Sequence, residues 1–422
     1  MLSKSKSGGF IIWAILATAF PAVGQEPLDV SLDEAVRLFS ENGLEMRIAR
    51  AELEMEYGEA RQSRAYFNPT LFVEHENLDY EGLGYGETIL ALSQSIEWPW
   101  RTSAHSRAAE GQIEAAVVGF RADSLRLIFE ARRVFLEAWA LEERMESLDR
   151  AAAVVRDAVR ASQIRLADGD ISDYDTRRLA LEQVRLEQLL AVSELDRSTA
   201  RRRLAALITP DGPFDEAIAA EPTREVPPPV DVADPAAILA RNPELVAAES
   251  RAIAAGERAR AAEMSWIPPL TLTAGYKDQT DGFTGAVLGV SLPIPLFDRR
   301  GGESQAAEAR RSTADAEVTL RKRQVENELR RAIERYESAM ARLQRLGTDL
   351  LSDAAALLET ASLAYQEGEF TLLQLIDAAE AYRRSRMGLI DLRAEAWLAY
   401  YNLEWAMGGP PAFHDSRDGG AR

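Results

Sequence analysis

The sequence predicts a mostly helical fold with a small β part: duplicated long coiled-coil helical hairpins and four strands per chain. Apolar residues from Leu127 to Val159 recur at alternating steps of four and three, which is the heptad spacing of a coiled coil. No proline interrupts the chain between Trp100 and Pro210. The same order of elements then recurs in the second half of the chain, which indicates a tandem duplication.

Composition excludes several classes of protein. The 422 residues carry a formal net charge of -19 and include no cysteine. An acidic chain lacks the basic face that nucleic-acid binding needs, but it suits a conduit that favours cations. Without cysteine there is no disulfide framework and no thiolate metal site, and the histidines lack metal-ligand spacing. We therefore expect no metal site, no cofactor and no nucleic-acid partner. No nucleophile stands with a base and an orienting group, so we also expect no catalytic residue.

The first residues have the features of an export signal. Basic residues precede an apolar run at 10–20, and Ala22 and Gly24 are small residues at the positions that a signal peptidase reads. This predicts a signal peptide over residues 1–24. A short membrane anchor is the alternative, although such a run is too short to span a bilayer.

The first structural repeat is predicted over residues 25–208. Its strands should lie at about 70–78 and about 88–98, with a turn-rich loop at 79–86 between them. A long helical hairpin should then occupy 100–207.

A proline-rich linker, or equatorial segment, follows at 209–234, and its prolines predict no regular structure. The second repeat is predicted over residues 235–407. Its strands and its hairpin should lie at about 270–277, about 284–293 and 302–407. The first helix of this hairpin should run unbroken from about 302 to 365, and residues 408–422 should form a disordered tail.

The strands alternate in polarity. Leu90, Leu92 and Ile96 fall on one face of their strand, and smaller or polar residues fall on the other. A strand of about ten residues can cross a bilayer at a tilt, with its apolar face toward lipid. Open sheet edges cannot stand in lipid, so four strands per chain require several chains to close one barrel.

Aromatic residues gather where strands meet helices, all at the same end of the strands. Such a cluster is typical of a membrane-interface belt, and the alternative is an ordinary aromatic core at a domain junction. The residues are Tyr66, Phe67, Trp98, Trp100, Trp266 and Phe297.

Several of these features together resemble the TolC-type outer-membrane efflux family, over nearly the whole mature chain. They are the capping box at 31–34, the pairs Asn42-Gly43 and Asn242-Pro243, the strand-closing Pro99 and Pro295, and the turns at Gly169 and Gly368. Within the family, residues 76–78 with 92–97, and residues 291–299, resemble the CzcC-type branch that serves heavy-metal and cation efflux.

The resemblance implies a homotrimer that forms a 12-stranded β-barrel in the outer membrane of a Gram-negative bacterium and an α-helical tunnel across the periplasm. It also implies docking to a periplasmic adaptor (membrane fusion protein) and an inner-membrane pump of the resistance-nodulation-division type. The chain would then be the passive channel of a tripartite system that exports heavy-metal cations. One alternative is a channel for drugs or other small molecules. The others are a periplasmic coiled-coil adaptor or structural protein, and an outer-membrane enzyme barrel.

The resemblance also points to residues at the periplasmic tip. It implies that the turns at Gly169 and Gly368 dock the adaptor. Gate residues are expected six and nine positions after each glycine. Those positions hold Asp175, Arg178, Gln374 and Asp377. Because Gln374 departs from the family's acidic pattern, the ring expected here consists of Asp175 and Asp377. The alternative is that both are solvated surface carboxylates.

Overall fold

The computed structural model describes residues 27–212, 214–222, 224, 226–230, 232, 234–346 and 349–409. The predicted signal peptide and the predicted tail beyond residue 409 lie outside this part of the chain.

The helices of the first half include one of great length. They are α1 (Leu32–Asn42), α2 (Leu44–Ser63), α3 (Pro99–Asp168) and α4 (Asp173–Ile208). Pro99 begins α3 in its first turn, where the N–H that proline lacks would have no acceptor within the helix. At a rise of about 1.5 Å per residue, the 70 residues of α3 extend for roughly 105 Å.

The second half repeats this order. Its helices are α5 (Pro235–Ala240), α6 (Pro243–Glu263), α7 (Gly301–Leu346), α8 (Asp349–Glu367) and α9 (Leu372–Ala406). The helix expected to run unbroken from about 302 to 365 is described as α7 and α8, on either side of two residues that lie outside the described part.

The linker contains a short strand, although its proline content predicted no regular structure. β1 (Leu28–Val30) pairs in parallel with β4 (Ala217–Ala219). The expectation of no regular structure in the linker is therefore wrong at β4. A strand of three residues has no periodicity of its own, and only pairing with a distant partner defines it.

A four-stranded antiparallel sheet lies at one end of the long helices. Its strands, in spatial order, are β2 (Thr70–Tyr80), β3 (Leu83–Ile96), β5 (Leu270–Gln279) and β6 (Thr284–Ser291). The loop expected at 79–86 is wrong, because pairing continues to Tyr80 and Leu83 across a two-residue turn. Glu81 and Gly82 have φ values of 52° and 86°, as such tight hairpin turns require. Gly84 and Gly86 are paired residues of β3, but glycines in this segment favoured the prediction of a loop.

Helix α3 is the element against which the others pack. It contacts α4 along the first hairpin, and it contacts α6 and α9 of the second repeat. Fully buried side chains of a first core include Phe39, Phe135, Trp139 and Leu204, from α1, α3 and α4. A second core nearer the helix turns includes Leu148, Val155, Leu179 and Leu375. No helix in the described ranges joins a bilayer-spanning length to a sufficiently apolar composition.

Candidate functional site: the two-faced sheet and the helix turns

One face of the four-stranded sheet is apolar and exposed. Cross-strand partners such as Leu71 and Leu92, or Ala274 and Leu288, lie side by side on this face. Leu288 is 82% exposed and Val290 is 72% exposed. Large aliphatic side chains at this exposure need a nonaqueous neighbour, and lipid supplies one.

The other face of the sheet is mostly polar. Ser93 and Thr273 share a hydrogen bond of 2.9 Å between their hydroxyl groups, and Ser95 and Thr271 share another of the same length. Farther along the same face, the Lys277 ammonium lies 2.6 Å from the Glu87 carboxylate. A wall that is apolar on one side and hydroxylated or charged on the other can separate lipid from water.

The sheet has two unpaired edges within one chain. β3 and β5 lie in the middle, while β2 and β6 each pair on one side only. Each edge leaves backbone N–H and C=O groups without a partner in the described part of the chain, and such groups are costly in lipid.

The aromatic residues at the strand–helix junctions divide into two groups. Trp98 stacks on Trp100, with ring centroids 5.1 Å apart, and its Nε1 donates to the Pro268 carbonyl over 2.8 Å. This pair therefore belongs partly to the junction between the repeats. The remaining four are more than half exposed: Tyr66, Phe67, Trp266 and Phe297.

The helix turns opposite the sheet end in glycine, as expected. Gly169 and Gly368 have φ values of 82° and 83°, in the left-handed region that glycine adopts without strain. Both end a helix, and their N–H groups donate to carbonyls of the preceding turn. The two hairpins therefore reverse direction by the same device.

The residues six positions after each glycine take part in helix caps. The Ser172 hydroxyl accepts the Asp175 N–H at 3.1 Å and donates to the Asp175 carboxylate at 2.7 Å. In the second repeat, Gln374 Oε1 accepts the N–H of Thr371 at 2.8 Å, which completes a capping box. A structural role in the cap thus accounts for both positions. Their role in a gate stays a prediction.

The residues nine positions after each glycine are free of such contacts. Arg178 and Asp377 are exposed, and within the described residues neither takes part in an ion pair with another side chain. Their charges are opposite, whereas the gate expectation rested on acidic residues. Their role in a gate also stays a prediction.

One arginine that the sequence did not single out joins the two turns. Arg165, in the last turn of α3, donates to the Tyr365 carbonyl in the last turn of α8 over 3.2 Å. Its guanidinium also lies 5.7 Å from the centre of the Tyr365 ring. Burial raises the pKa of the Tyr365 hydroxyl, and Arg165 opposes that rise. An arginine near a helix end was the only sequence signal.

Ion pairs between the hairpins lie above the turns. Arg185 on α4 contacts Glu380 on α9 at 2.9 Å, and Arg386 on α9 contacts Glu143 on α3 at 2.7 Å. The hydrogen bond from Arg185 lowers the pKa of the Glu380 carboxyl, and partial burial opposes this effect. Within the described residues no cluster of His, Asp or Glu has the arrangement of a metal site.

Comparison with known proteins agrees with this architecture. Residues 235–409 match the family model described as outer membrane efflux protein. The chain is 26% identical to the cobalt-zinc-cadmium resistance protein CzcC of Cupriavidus metallidurans, over 93% of each chain. It is 22% identical to the outer membrane efflux protein BepC of Brucella suis, over 94% of this chain and 89% of that one. The crystal structure of CusC aligns with a TM-score of 0.72 at 17% identity, over 93% of this chain and 96% of that one.

A two-faced sheet carried on long helical hairpins, with this family match, defines an efflux channel of the outer membrane. Residues 235–409 match the outer membrane efflux protein family, and the chain as a whole has the fold of the TolC-type channels. It is a transport protein and not an enzyme, and it belongs to the outer membrane of a Gram-negative bacterium with its helices extending into the periplasm.

Proposed function

We propose that three copies of this chain form the passive outer-membrane duct of a tripartite pump that exports heavy-metal cations. The observation that carries the proposal is the sheet with one lipid-suited face, one polar face and two free edges, placed at the end of the long helices.

The free edges support closure by several copies. Four strands cannot close on themselves at the usual barrel curvature, but three copies supply twelve strands. In such a ring, β6 of one copy lies beside β2 of the next and every edge is paired. Each chain would then form one third of the pore wall.

The helices support the same arrangement. α4 packs chiefly on α3, and its other side carries large apolar residues at heptad-like spacing. Tyr174, Leu181, Val184 and Leu195 are each at least half exposed. A helix of a second copy would cover this stripe.

Charge supports a cationic cargo. Glu74 and Glu76 share the polar face of the sheet with Glu87, against the single Lys277. The net charge of -19 has the same sign. The relative CzcC is described as a cobalt-zinc-cadmium resistance protein, which favours metal ions as the cargo.

The position of the turns, at the ends of the helices away from the sheet, supports docking to periplasmic partners, which the family resemblance implies. We propose that Gly169, Gly368 and their flanking residues meet a periplasmic adaptor, behind which stands an inner-membrane pump of the resistance-nodulation-division type. In this proposal the duct is passive and has no cofactor or catalytic group, so the pump would supply the energy for transport.

The test is deletion of the gene followed by growth in zinc, cobalt, cadmium and a panel of organic drugs. Metal sensitivity that the wild-type gene reverses is expected, with unchanged drug sensitivity. Drug sensitivity without metal sensitivity would instead support the alternative of a channel for drugs or other small molecules. The similarity to the outer membrane efflux protein BepC is compatible with that alternative.

A second test concerns assembly. The purified chain in detergent should have the mass of three copies by light scattering. A monomeric mass would contradict closure by three copies. Release from membranes by high salt would instead indicate the periplasmic adaptor alternative.

A further inference from the structure

The junctions between sheet and helices differ in how they are held together. In the middle of the sheet, the junction from β3 to α3 lies beside the junction from α6 to β5. Arg101 donates to the Ile267 carbonyl over 2.7 Å and contacts Glu97 at 3.1 Å, while it is itself only 6% exposed. With the hydrogen bond from Trp98 to Pro268, these contacts form a polar clamp between the two repeats.

In the described part of the chain, neither outer junction has a buried arginine that links it to a neighbouring strand in this way. They lead from α2 to β2 and from β6 to α7, and they flank the free edges of the sheet. Their large apolar side chains are open: Phe297 is 100% exposed, Tyr66 is 81% exposed and Ile294 is 76% exposed. The Phe67 carbonyl is held by Gln94 Nε2 over 2.8 Å, so this segment is presented in a fixed position.

Pairing of the free edges brings these outer junctions together. If β6 of one copy pairs with β2 of the next, the end of β6 meets the start of β2, as the end of β3 meets the start of β5 within the chain. β6 ends at Ser291, and Pro293 and Pro295 have no N–H to donate, so we do not expect regular backbone pairing between copies to extend beyond this end. Below that level, we expect side-chain contacts to close the seam.

We propose that Phe297 of one copy packs on the Tyr66–Phe67 segment of the next copy and thereby closes the seam between subunits. The contact replaces, between copies, the polar clamp of Arg101 within the chain. The proposal rests on closure by three copies. In this proposal the aromatic side chains contact a second copy of this chain. The competing possibility is that they contact only lipid.

Disulfide trapping tests the contact, because the chain has no cysteine of its own. Phe297→Cys is combined in turn with Tyr66→Cys and with Phe67→Cys in the full chain, and the purified trimer is oxidised with copper phenanthroline. We expect covalent dimers and trimers in denaturing gels for at least one of these pairs, and their loss on reduction.

The matched control is Phe297→Cys combined with Trp266→Cys. Trp266 is 54% exposed and stands before β5 as Tyr66 stands before β2, but β5 lies inside the sheet. This pair and Phe297→Cys alone should stay monomeric on the gel. Equal ladders from the control would overturn the proposal, since random collision would then explain them.

The outcome also separates this proposal from the channel assignment. A preparation with the mass of three copies that gives no ladder with either pair overturns the aromatic seam and leaves the duct standing. A preparation with the mass of one copy overturns both.

Discussion

At the residue scale, Asp175 and Gln374 show how one position serves the fold in both repeats. Each stands six residues after its turn glycine, and each takes part in the cap of the helix that follows. A capping interaction of this kind contributes about 1 kcal/mol. Substitution of either residue would therefore change the stability of the tip, whether or not it changes the gate. Asp377 has no such role in the described contacts and is the cleaner probe of gating.

The turn glycines give the first prediction. Gly169→Ala should cost about 1 kcal/mol locally, because its φ of 82° suits only glycine and no neighbour lies within 4 Å of an added Cβ. Gly368→Ala should cost at least as much, since its Cβ would lie 3.3 Å from the Arg165 guanidinium. Hydrogen exchange at the two turns measures both effects.

Gly388 is the control for these variants. It lies inside α9, where an added Cβ meets nothing within 4 Å, so Gly388→Ala should be neutral or stabilising. Equal exchange rates in Gly169→Ala and Gly388→Ala would contradict the conformational argument.

Glu380 gives a prediction that depends on pH. Arg185 holds the pKa of Glu380 below its ordinary value in the folded chain. The ion pair therefore contributes stability that is present above the unfolded pKa of about 4.3 and is lost as pH falls through the lower folded value. The wild type should melt at a higher temperature than Glu380→Gln at neutral pH, and the difference should vanish in acid.

An exposed carboxylate on α8 serves as the control for this ion pair. Glu359→Gln should melt with the wild type throughout the titration. A difference between wild type and Glu380→Gln that persists below the folded pKa would refute the ion pair as its cause.

At the scale of elements, the strands and helices were foreseen where local spacing defines them. The heptads predicted the hairpins, and alternation predicted the strands with an apolar and a polar face. The sequence underestimated β3, because Gly84 and Gly86 made paired residues look like a turn. It missed β4 altogether, because a segment of three residues becomes a strand only through β1.

The close approach of β3 and β5 gives a prediction for the sheet. A Cβ added at Gly275 would lie 2.6 Å from the Ala91 side chain and from the Leu90 carbonyl, so Gly275→Val must push these strands apart. We expect a loss of stability of about 2 kcal/mol or more and a smaller yield of trimer.

Gly84→Val is the matched variant, in strand β3, which is not a free edge of the sheet. An added Cβ there meets nothing within 4 Å. Its trimer should be retained in gel filtration and in light scattering. Equal loss of trimer in both variants would show that valine itself, and not the contact with Ala91, is the cause.

At the scale of the whole molecule, the acidic charge and the open architecture bear on transport. Three copies of Asp377 at the narrow end of a helical tunnel would attract cations and repel anions. Asp377→Ala should therefore reduce the preference for cations in planar bilayers, with little change in assembly, because its side chain is exposed. Reversal potentials in a salt gradient measure the preference.

Asp196→Ala is the control for this measurement, since Asp196 is an exposed carboxylate on α4 far from the turn. It should leave selectivity unchanged. If Asp377→Ala conducts with the selectivity of the wild type, Asp377 takes no part in a gate or a filter.

The sequence by itself determined the helical hairpins, their glycine turns, the two faces of the strands and the family resemblance. These depend on residues close together in the chain, where spacing, proline and glycine act locally. Only the tertiary structure decided that β3 and β5 are neighbours, so that β2 and β6 are the free edges. Only the tertiary structure showed that Arg165 contacts Tyr365 beside the turn at Gly368. It also showed that Trp98 and Trp100 stack on each other, whereas the other four aromatic residues at the junctions are more than half exposed. These contacts join residues more than a hundred positions apart or depend on packing around them, and no local pattern in the chain encodes them.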